Sequence, residues 1–541
     1  MTAMTTPTPQ PAPVTTPPSG RWARLGHLRA ALALAAMLVA LPAVWLLITR
    51  GLPAIADDTP VHLMRLFVFD QHVRQGDWLP RWIADLYTGY GYPLFNFYAP
   101  AMYYLAETLH LGGLGQAAAY GWSYILAVLF GAVGAAFLAS DLYASPAENS
   151  GADGAPLAPR PSPLPSFWPG LLAATSYTYA TYLLANVFVR GAFGEIGAQA
   201  LVPWLFWALR RMMLTRRPLP SLVLGATLLA LLAMTHTITF LLALPWLAGY
   251  AIVLALALRD TGRPVWKSLG APVAAAALAA LFSAVVWLPQ LLERGALSAS
   301  AWSTQLLLDN LWRWRDFVEL DLRFRAVDGG QTPYQLSAIQ AILLLLGLLF
   351  TRRRSTEWWL WVAILGVCGV LLSPLSAPLW ANVSALAVIQ FPWRLLSIMG
   401  LAVAIVGAGT ATAFPAGAAR AIGTGLLVAF VVITQTPRPG ETPFLTAADD
   451  INLTLAAVNR FEQAEPAYGA GYDDEFLPRW ADLAALQSPV PPLPEIAASV
   501  RAASAMAPGA GVSVTGEGDA PLALTLSQFY FPGWQVALDG S

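Results

Sequence analysis

The chain has 541 residues, of which 57% are hydrophobic and 11% charged, with a formal net charge of −1 at pH 7 and a mean hydropathy of +0.57. A soluble protein of this length needs a far more charged surface, so a soluble globular class is excluded. The near-zero net charge offers no basic field, which excludes nucleic acid as a partner. The single cysteine, Cys368, excludes an intrachain disulfide and a cysteine metal site.

Residues 1–29 begin with a Pro- and Thr-rich stretch that lacks an apolar face, which predicts a disordered cytoplasmic tail. The first apolar run, ALALAAMLVALPAVWLLI, follows Arg21, Arg24 and Arg29. No small-residue cleavage site follows this run, so we predict an uncleaved membrane helix rather than a signal peptide. Basic flanks stay in the cytoplasm, which places the N-terminus inside and the next loop outside.

Further apolar segments bring the predicted number of membrane spans to about eleven. The further segments are residues 116–140, 167–187, 195–209, 219–235, 238–258, 268–290, 334–351, 357–374, 394–413 and 420–436. With the N-terminus inside, the Arg-rich loops at 210–217, 259–267, 352–354 and Arg420 fall in the cytoplasm, as the positive-inside rule requires. If residues 93–111 crossed the membrane, all of these Arg-rich loops would lie outside. We therefore predict that this segment is interfacial or re-entrant.

The predicted fold is therefore an all-α polytopic membrane bundle. The transmembrane domain covers residues 30–436, with outer loops at 50–115 and 291–333, and an extracytoplasmic C-terminal region covers 437–541. The alternating pattern of the loop at 291–333 predicts amphipathic helices on the membrane surface. The Pro/Ala/Gly/Ser stretch between Ala144 and Ser166 predicts a flexible cytoplasmic loop.

The polar C-terminal region is expected to form a small α+β appendage. A helix is predicted near residues 447–462, and a strand, a turn and a second strand are predicted in LALTLSQFYFPGWQVALDG. The sequence stops directly after Asp539 and Gly540, which form a hairpin-turn signal with no following strand. We therefore expect either a domain that is cut short or a fragment.

The first outer loop concentrates ionisable side chains beside the membrane, where such groups are costly unless they function or lie in water. Within it, Asp57 and Asp58 form an acidic pair directly after the first span. Such a pair can act as a general base or hold a divalent cation. The alternative is that the pair caps a helix beginning near Pro60. We favour function, because one Asp suffices for a cap.

Other polar side chains lie at the predicted outer ends of later spans. These are Arg190, Glu195, His236, Glu293, Arg294 and Arg394. Arg and His side chains can bind phosphate, so several residues are candidates for a phosphate-binding site. The candidate phosphate-binding residues are His62, Arg65, Arg190, His236 and Arg394, and the further site candidates are Glu195 and Glu293.

Structural interpretations compete with these assignments. Arg190 and Glu195 can form a purely structural ion pair, and His236 lies in an apolar run where a hydrogen-bonded packing role is common. The Tyr and Phe residues at 87–104, together with Trp312 and Trp314, are interpreted as membrane-interface anchors rather than a sugar platform.

Several motifs carry a family resemblance along the chain from about residue 30. They are GDWLPRWIADLYTGYGYPLFNFYAPAMYYL, VRGAFGEIGAQALVPWLFW, THTITFLLALPW, IQFPWRLLS and FYFPGWQVALDG. With these motifs the chain resembles bacterial polytopic membrane proteins of the "6-pyruvoyl-tetrahydropterin synthase-related" family. Pterin synthase activity itself is excluded, because that enzyme needs three histidines on zinc in a small soluble fold. The 5 histidines here are scattered, and His27 lies on the cytoplasmic side.

The chain is also similar, more loosely, to membrane glycosyltransferases of the C-type fold (GT-C), including the YfhO-like proteins. This resemblance implies an acidic residue or pair in the first outer loop, where Asp57 and Asp58 lie, and a lipid-phosphate-linked sugar as donor. It also implies a carboxylate that serves as base or as ligand of Mg²⁺ or Mn²⁺. The donor phosphate is then expected near Arg394 or Arg190.

The expected function is inverting transfer of a sugar from a polyprenyl-phosphate donor to an envelope glycan, lipid or protein. The reaction is expected on the outer face of a bacterial cytoplasmic membrane, with the lipid bilayer as the other partner. The alternative is a non-catalytic protein that binds or handles lipid-linked polymers in envelope assembly. A secondary transporter is disfavoured, because the sequence shows no internal repeat and most charges lie at helix ends.

Overall fold

The structure is a computed structural model that describes most of the chain. The described residues are 19–54, 56–144, 166–215, 218–260, 262–298, 304–324, 334–352, 354–438, 444–445, 453–464, 469–470, 475–481, 500–505, 512–516 and 531–532. The predicted cytoplasmic loop between Ala144 and Ser166, most of the predicted N-terminal tail and nearly all of the predicted terminal strand–turn–strand lie outside these residues.

The described residues are mostly helical. In chain order the helices are α1 (Ser19–Arg50), α2 (Thr59–Arg74), α3 (Leu94–Phe97), α4 (Ala101–Leu111), α5 (Gln116–Leu142), α6 (Phe167–Thr178), α7 (Thr181–Ala185), α8 (Phe193–Leu214), α9 (Leu219–Thr235), α10 (Thr237–Arg259), α11 (Val265–Phe282), α12 (Ala284–Glu293), α13 (Thr304–Asp309), α14 (Ala338–Phe350), α15 (Thr356–Leu372), α16 (Ala377–Asn382), α17 (Leu396–Ala408), α18 (Ala418–Gln435) and α19 (Leu455–Ala464). A π-helical turn, Asn186–Arg190, follows α7. Short 3₁₀ turns lie at Arg294–Ala296, Trp314–Asp316, Pro374–Ser376, Ser384–Ile389, Pro392–Leu395 and Gly409–Thr412.

Within the described residues, 6 helices are long and apolar enough to cross a membrane. They are Gly26–Arg50, Gln116–Leu142, Thr237–Arg259, Val265–Phe282, Pro392–Thr412 and Ala418–Gln435. The pair formed by α15 and α16, bent by 75°, raises the number to 7 when counted as one span, and α9 and α14 are shorter apolar helices. The chain is therefore a multi-pass helical membrane protein, as predicted. The predicted total of about eleven spans is not confirmed, because several of the predicted segments are broken or short.

The core of the bundle lies around α5, which packs against α1, α6 and α8. Glycines permit the close approach: a Cβ on Gly170 of α6 would lie 2.9 Å from the carbonyl oxygen of Ala136, and one on Gly131 would lie 3.2 Å from Cα of Ala200. The most buried of the candidate spans is Pro392–Thr412, which contains α17. Small residues on α5 and α6 thus set the helix spacing in the centre of the protein.

Ion pairs tie several helix ends together at one end of the bundle. Asp141 at the end of α5 accepts hydrogen bonds from Arg29 (3.2 Å), Arg211 (3.2 Å) and the indole N–H of Trp207 (3.0 Å). Arg210 of α8 donates to Glu357 at the start of α15, at 2.8 Å. The charges of the predicted cytoplasmic loops therefore meet at one end of the bundle.

The opposite end carries the first loop and the segment that follows the last span. Strand β1 (Leu52–Pro53) pairs with β4 (Phe444–Leu445) in an antiparallel arrangement. Both segments are predicted to be extracytoplasmic, so this contact agrees with the predicted alternation of the spans. Two further small sheets are parallel β2 (Val318–Glu319) with β3 (Leu336–Ser337), and antiparallel β5 (Val500–Ala505) with β6 (Val512–Gly516).

The segment at 93–111 does not cross the bundle as one helix. Its longer helix, α4, has 11 residues, and about 20 are needed to span the hydrocarbon core. The sequence predicts that the Tyr and Phe residues at 87–104 are interface anchors, but six of them are buried in the protein. These six are Tyr87, Tyr90, Tyr92, Phe95, Phe97 and Tyr103. Their rings pack against one another, with centroids 5.0 Å apart for Tyr87 and Tyr92 and 5.0 Å apart for Phe95 and Tyr103.

Two other expectations also need correction. Trp312 is buried rather than at the membrane surface, and its ring packs edge-on against Phe317 with centroids 5.0 Å apart. Where the sequence predicts amphipathic helices, the described part of the loop at 291–333 forms short turns and one helix of six residues, α13. In the C-terminal region a helix is present, but α19 begins at Leu455 and runs to Ala464.

Candidate active site

The acidic pair of the first loop lies directly before α2. Asp58 occupies the position before the helix, yet its side chain makes no capping hydrogen bond. The backbone N–H of Asp58 instead donates to the carbonyl oxygen of Arg190 at 2.6 Å, and the N–H of Asp57 donates to that of Val189 at 3.0 Å. The capping interpretation therefore does not describe Asp58, whose carboxylate is left for other contacts.

The partner of this loop is the π-helical turn that ends in Arg190. The turn is followed by Gly191, which has a left-handed backbone with φ +68°. A Cβ on Gly191 would lie 2.7 Å from the backbone nitrogen of Thr59. A glycine is needed here, because any side chain would both strain the backbone and collide with the start of α2. Turns of this kind inside α-helices are frequent at functional sites.

Arg190 forms an ion pair with Glu195, as the structural interpretation of the sequence suggests. Its Nη1 donates to Glu195 at 2.8 Å and to the side-chain oxygen of Asn186 at 2.6 Å. Glu195 also accepts one hydrogen bond from the hydroxyl of Tyr182 and one of 3.4 Å from Ser397. This carboxylate is 1% exposed. Glu195 therefore holds the guanidinium of Arg190 in place.

Arg394 approaches the same carboxylate from the 3₁₀ turn before α17. Its Nε lies 3.6 Å from Glu195 Oε2, and its Nη1 donates to Gln390 Oε1 at 2.6 Å and to the carbonyl oxygen of Ile389 at 3.1 Å. The Nε group is buried and has no hydrogen-bond partner among the described residues. An unsatisfied buried N–H of a charged group is costly, which makes it a candidate donor for a bound anion.

Arg65 and His62 lie on consecutive turns of α2. Arg65 Nε donates to the carbonyl oxygen of Ala470 at 2.5 Å, and its guanidinium lies 4.7 Å from the centre of the Tyr98 ring. His62 Nδ1 is hydrogen-bonded to the hydroxyl of Tyr103 at 2.6 Å. Burial, together with the positive charge of Arg65, holds the pKa of His62 well below its usual value. His62 is therefore neutral at physiological pH.

His236 lies between α9 and α10 and caps the second helix. Its Nδ1 accepts from the backbone N–H of Thr239 at 3.2 Å. Since this nitrogen is an acceptor, the proton of the neutral ring is assigned to Nε2. The packing role expected as an alternative for His236 is thus present, and the remaining ring nitrogen is a hydrogen-bond donor.

These side chains surround one cavity of about 500 Å³. The acidic, basic and histidine residues in its lining are Asp58, His62, Arg65, Arg190, Glu195, His236, Arg394 and Glu475. Two of the sequence candidates are not in the lining, Asp57 and Glu293. Asp57 is exposed, and Glu293 accepts a hydrogen bond from Asn96 at 2.7 Å. The remaining wall is largely apolar, with residues such as Val61, Ile238 and Val388.

Burial raises the pKa of the Asp58 carboxyl above its usual value, although Arg190, Arg65 and Arg394 act in the opposite direction. The pKa of Asp57 is also raised, by partial burial and then by the negative charge of Asp58. A carboxylate that binds a proton more readily than usual is a better general base. Asp58 combines this property with a place in the cavity wall.

The suggested Mg²⁺ or Mn²⁺ does not fit the observed residues. Among the residues described, no group of three or more His, Cys, Asp and Glu side chains is arranged to hold a metal ion. The positive charges that act on Asp58 are the guanidinium groups of Arg190, Arg65 and Arg394, and they outnumber the opposing carboxylate of Glu195. Their positive field opposes a divalent cation at this carboxylate.

Some cavity residues were not expected from the sequence. Glu475 and Phe476 come from the C-terminal region, and Phe97 and Tyr98 come from the aromatic segment of the first loop. The sequence contains no periodic pattern that would have identified these four residues as part of the site. Gln390 carried a usable signal, because it lies four residues before Arg394 within the motif IQFPWRLLS.

No family model matches the chain, and no curated protein sequence does. Among solved structures, the chain is similar to the arabinofuranosyltransferase AftD from mycobacteria, with 17% identity and a TM-score of 0.43 over 81% of this chain and 27% of AftD. It is similar to the oligosaccharyltransferase of Archaeoglobus fulgidus, with 12% identity and a TM-score of 0.43 over 77% of this chain and 56% of that one. ArnT from Cupriavidus metallidurans bound to undecaprenyl phosphate shows 13% identity and a TM-score of 0.31 over 85% and 90% of the two chains. The chain thus spans about a quarter of AftD and just over half of the archaeal enzyme.

Proposed function

We propose that the protein is a GT-C-type membrane glycosyltransferase that takes a sugar from a polyprenyl-phosphate donor. The observation that carries this proposal is the convergence of three arginines, Arg65, Arg190 and Arg394, with Asp58 on one cavity. Guanidinium groups bind phosphate oxygens with paired hydrogen bonds. The cavity also has an apolar wall, which suits a lipid-linked molecule.

Asp58 is the proposed general base. Its carboxylate takes the proton of the acceptor hydroxyl as the new bond forms between the acceptor oxygen and the anomeric carbon. The bond between that carbon and the phosphate oxygen breaks, and the polyprenyl phosphate leaves with the bonding electrons. The Nε of Arg394, which has no hydrogen-bond partner among the described residues, and the guanidinium of Arg190 stabilise the charge that develops on the phosphate.

The proposed site lies at the end of the bundle that carries the first loop, which the charge pattern predicts to be the outer face of the membrane. The family resemblance implies that this membrane is a bacterial cytoplasmic membrane. The acceptor then belongs to the cell envelope, as a glycan, a lipid or a protein. The resemblance to GT-C proteins found in the sequence supports this assignment. The proposed chemistry places no step on a metal ion.

The test uses membranes that contain the full-length protein and a panel of radiolabelled polyprenyl-phosphate sugars. Transfer of label to glycan, lipid or protein fractions is measured for the wild type, Asp58→Asn and Arg394→Gln. We expect each variant to lose at least about 100-fold in rate. Arg50→Gln is the matched control, because Arg50 is an exposed arginine at the end of α1.

Two outcomes would contradict the proposal. If the wild type binds the donor lipids but transfers no sugar from any of them, the alternative of a non-catalytic protein that handles lipid-linked polymers is correct. If the wild type is active and Asp58→Asn keeps the full rate, Asp58 is not the base. Folding of each variant is checked by its thermal midpoint in detergent.

A further inference from the structure

The segment that precedes Arg394 contains a strained turn. Gln390 has φ +64° and ψ −52°, and the N–H of Phe391 donates to the carbonyl oxygen of Ile389 at 2.7 Å. These are the features of a γ-turn with positive φ at its central residue, a rare and strained conformation. Gln390 adopts it although it has a side chain. Such strain persists only where the surrounding structure imposes it, and it clusters at functional sites.

The turn brings two acceptors to one nitrogen of Arg394. Gln390 Oε1 lies 2.6 Å from Nη1, and the carbonyl oxygen of Ile389 lies 3.1 Å from the same atom. The residue is only 7% exposed, so these contacts form away from bulk water. A guanidinium held at Nη1 has a defined orientation, because its five N–H groups lie in one plane.

The other contacts of Arg394 show the effect of this orientation on its Nε group. Its Nε lies 3.6 Å from Glu195, too far for a hydrogen bond, and it has no other partner among the described residues. The bonds at Nη1 hold the side chain in the orientation that leaves Nε at this distance from Glu195. The turn at Gln390 therefore supports an orientation in which a buried donor has no hydrogen-bond partner among the described residues.

We propose that Gln390 is a positioning residue that holds the guanidinium of Arg394 ready for an anionic phosphate in the cavity. This inference rests on the proposed function, because it assigns Gln390 a role at the same phosphate site. Gln390 itself lines the cavity, but it acts through Arg394. The strained backbone places the side-chain oxygen within reach of Nη1 from four residues earlier in the chain.

The test measures binding of undecaprenyl phosphate in detergent micelles to the purified full-length protein, with undecaprenol, which lacks the phosphate, as the control lipid. Gln390→Gly removes the acceptor and tolerates the positive φ, so the fold is expected to persist. We expect affinity for undecaprenyl phosphate to fall about tenfold, as for the loss of a hydrogen bond to a charged group. Binding of undecaprenol is expected to stay unchanged.

A double-mutant cycle separates this role from a merely structural one. In an Arg394→Gln background, Gln390→Gly is expected to change affinity less than about twofold, because the group that it positions is gone. Equal losses in both backgrounds, or an unchanged affinity for Gln390→Gly alone, would overturn the inference. Gln390→Asn, whose side chain also tolerates positive φ but is one methylene shorter, gives the same comparison if the glycine variant does not fold.

The wild-type measurement keeps the two proposals distinct. If the wild type discriminates undecaprenyl phosphate from undecaprenol, the phosphate site exists and only the role of Gln390 is under test. If the wild type binds both lipids equally, the proposed function fails, and with it the reason for positioning Arg394.

Discussion

The backbone N–H of Asp58 donates to the carbonyl oxygen of Arg190 at 2.6 Å. This hydrogen bond joins the first outer loop to the π-helical turn before α8, two segments separated by several helices in the sequence. It fixes the backbone of the proposed base, Asp58, beside the backbone of Arg190, a proposed phosphate-binding residue, without relying on flexible side chains. The position of the base is thereby set by backbone geometry, which is the more rigid arrangement.

Gly191 allows the close approach of Asp58 and Arg190, so we expect Gly191→Ala to disrupt their backbone hydrogen bond. The change puts a Cβ at φ +68° and 2.7 Å from the backbone nitrogen of Thr59, and we expect a cost of about 1–3 kcal/mol. Gly262→Ala is the matched control, because Gly262 also has a positive φ, of +84°, but no described residue lies within 4 Å of its added Cβ. The thermal midpoint and undecaprenyl phosphate binding are measured for both. Equal losses of binding in the two variants would argue against a specific role for Gly191.

Transfer activity is expected to decline as the pH falls through the raised pKa of Asp58. Burial raises that pKa, and a base is active only when it is deprotonated, so the decline should begin above the ordinary carboxyl value of about 3.9. The measurement is kcat/KM against pH for the wild type and for Asp57→Asn, which keeps Asp58. An acidic limb that stays at the ordinary carboxyl value in the wild type would contradict the assignment.

The stability of the outer end is expected to decrease as the pH rises from about 4.3 toward neutrality. Burial, followed by the negative charge of Asp70, raises the pKa of Glu107 of α4 to about 7, while His110 and Arg74 act in the opposite direction. The folded state therefore binds more protons than the unfolded state between the unfolded value of about 4.3 and the folded value. The stabilisation from this group is complete below that window and is lost as the pH rises through it.

Glu107→Gln tests this dependence, because the amide resembles the protonated acid at every pH. We expect the thermal midpoint of the wild type to fall between pH 5 and pH 8, relative to that of Glu107→Gln. The difference between the two proteins should be smallest at the acidic end. Identical slopes for both proteins would show that another group controls the pH dependence.

At the opposite end of the bundle, Asp141→Asn is expected to destabilise the protein by about 2 kcal/mol. The change removes the charge that Arg29 and Arg211 share. Asp260→Asn serves as the control, because Asp260 is exposed at the end of α10. The free energy of unfolding is compared in the same detergent. A loss of less than about 0.5 kcal/mol for Asp141→Asn, the usual size of a surface substitution, would contradict the structural role.

The orientation in the membrane remains a prediction from the charge pattern. Reporter fusions after Arg217 and after Arg354 are expected to read cytoplasmic, and a fusion after Thr436 is expected to read external. An external signal after either arginine loop would move the proposed site to the other face of the membrane. The proposed use of an envelope acceptor would then fail.

The sequence by itself determined the membrane class, the approximate helical segments and the grouping of polar residues at one end of the bundle. These follow from local properties, since an apolar stretch must bury its backbone in a helix wherever it crosses lipid. His62, Arg65, Arg190, His236 and Arg394 could be chosen as candidates because charged and polar groups near lipid are rare.

Only the tertiary structure decided which of these side chains share a cavity. Asp57 and Asp58 are neighbours in sequence, yet only Asp58 lies in the wall, because the hydrogen bonds to Val189 and Arg190 fix the loop. The structure also places Glu475 of the C-terminal region in the cavity and leaves Glu293 outside. These outcomes depend on how distant segments pack and on strained turns such as that at Gln390, and neither is encoded in the hydropathy of a single segment.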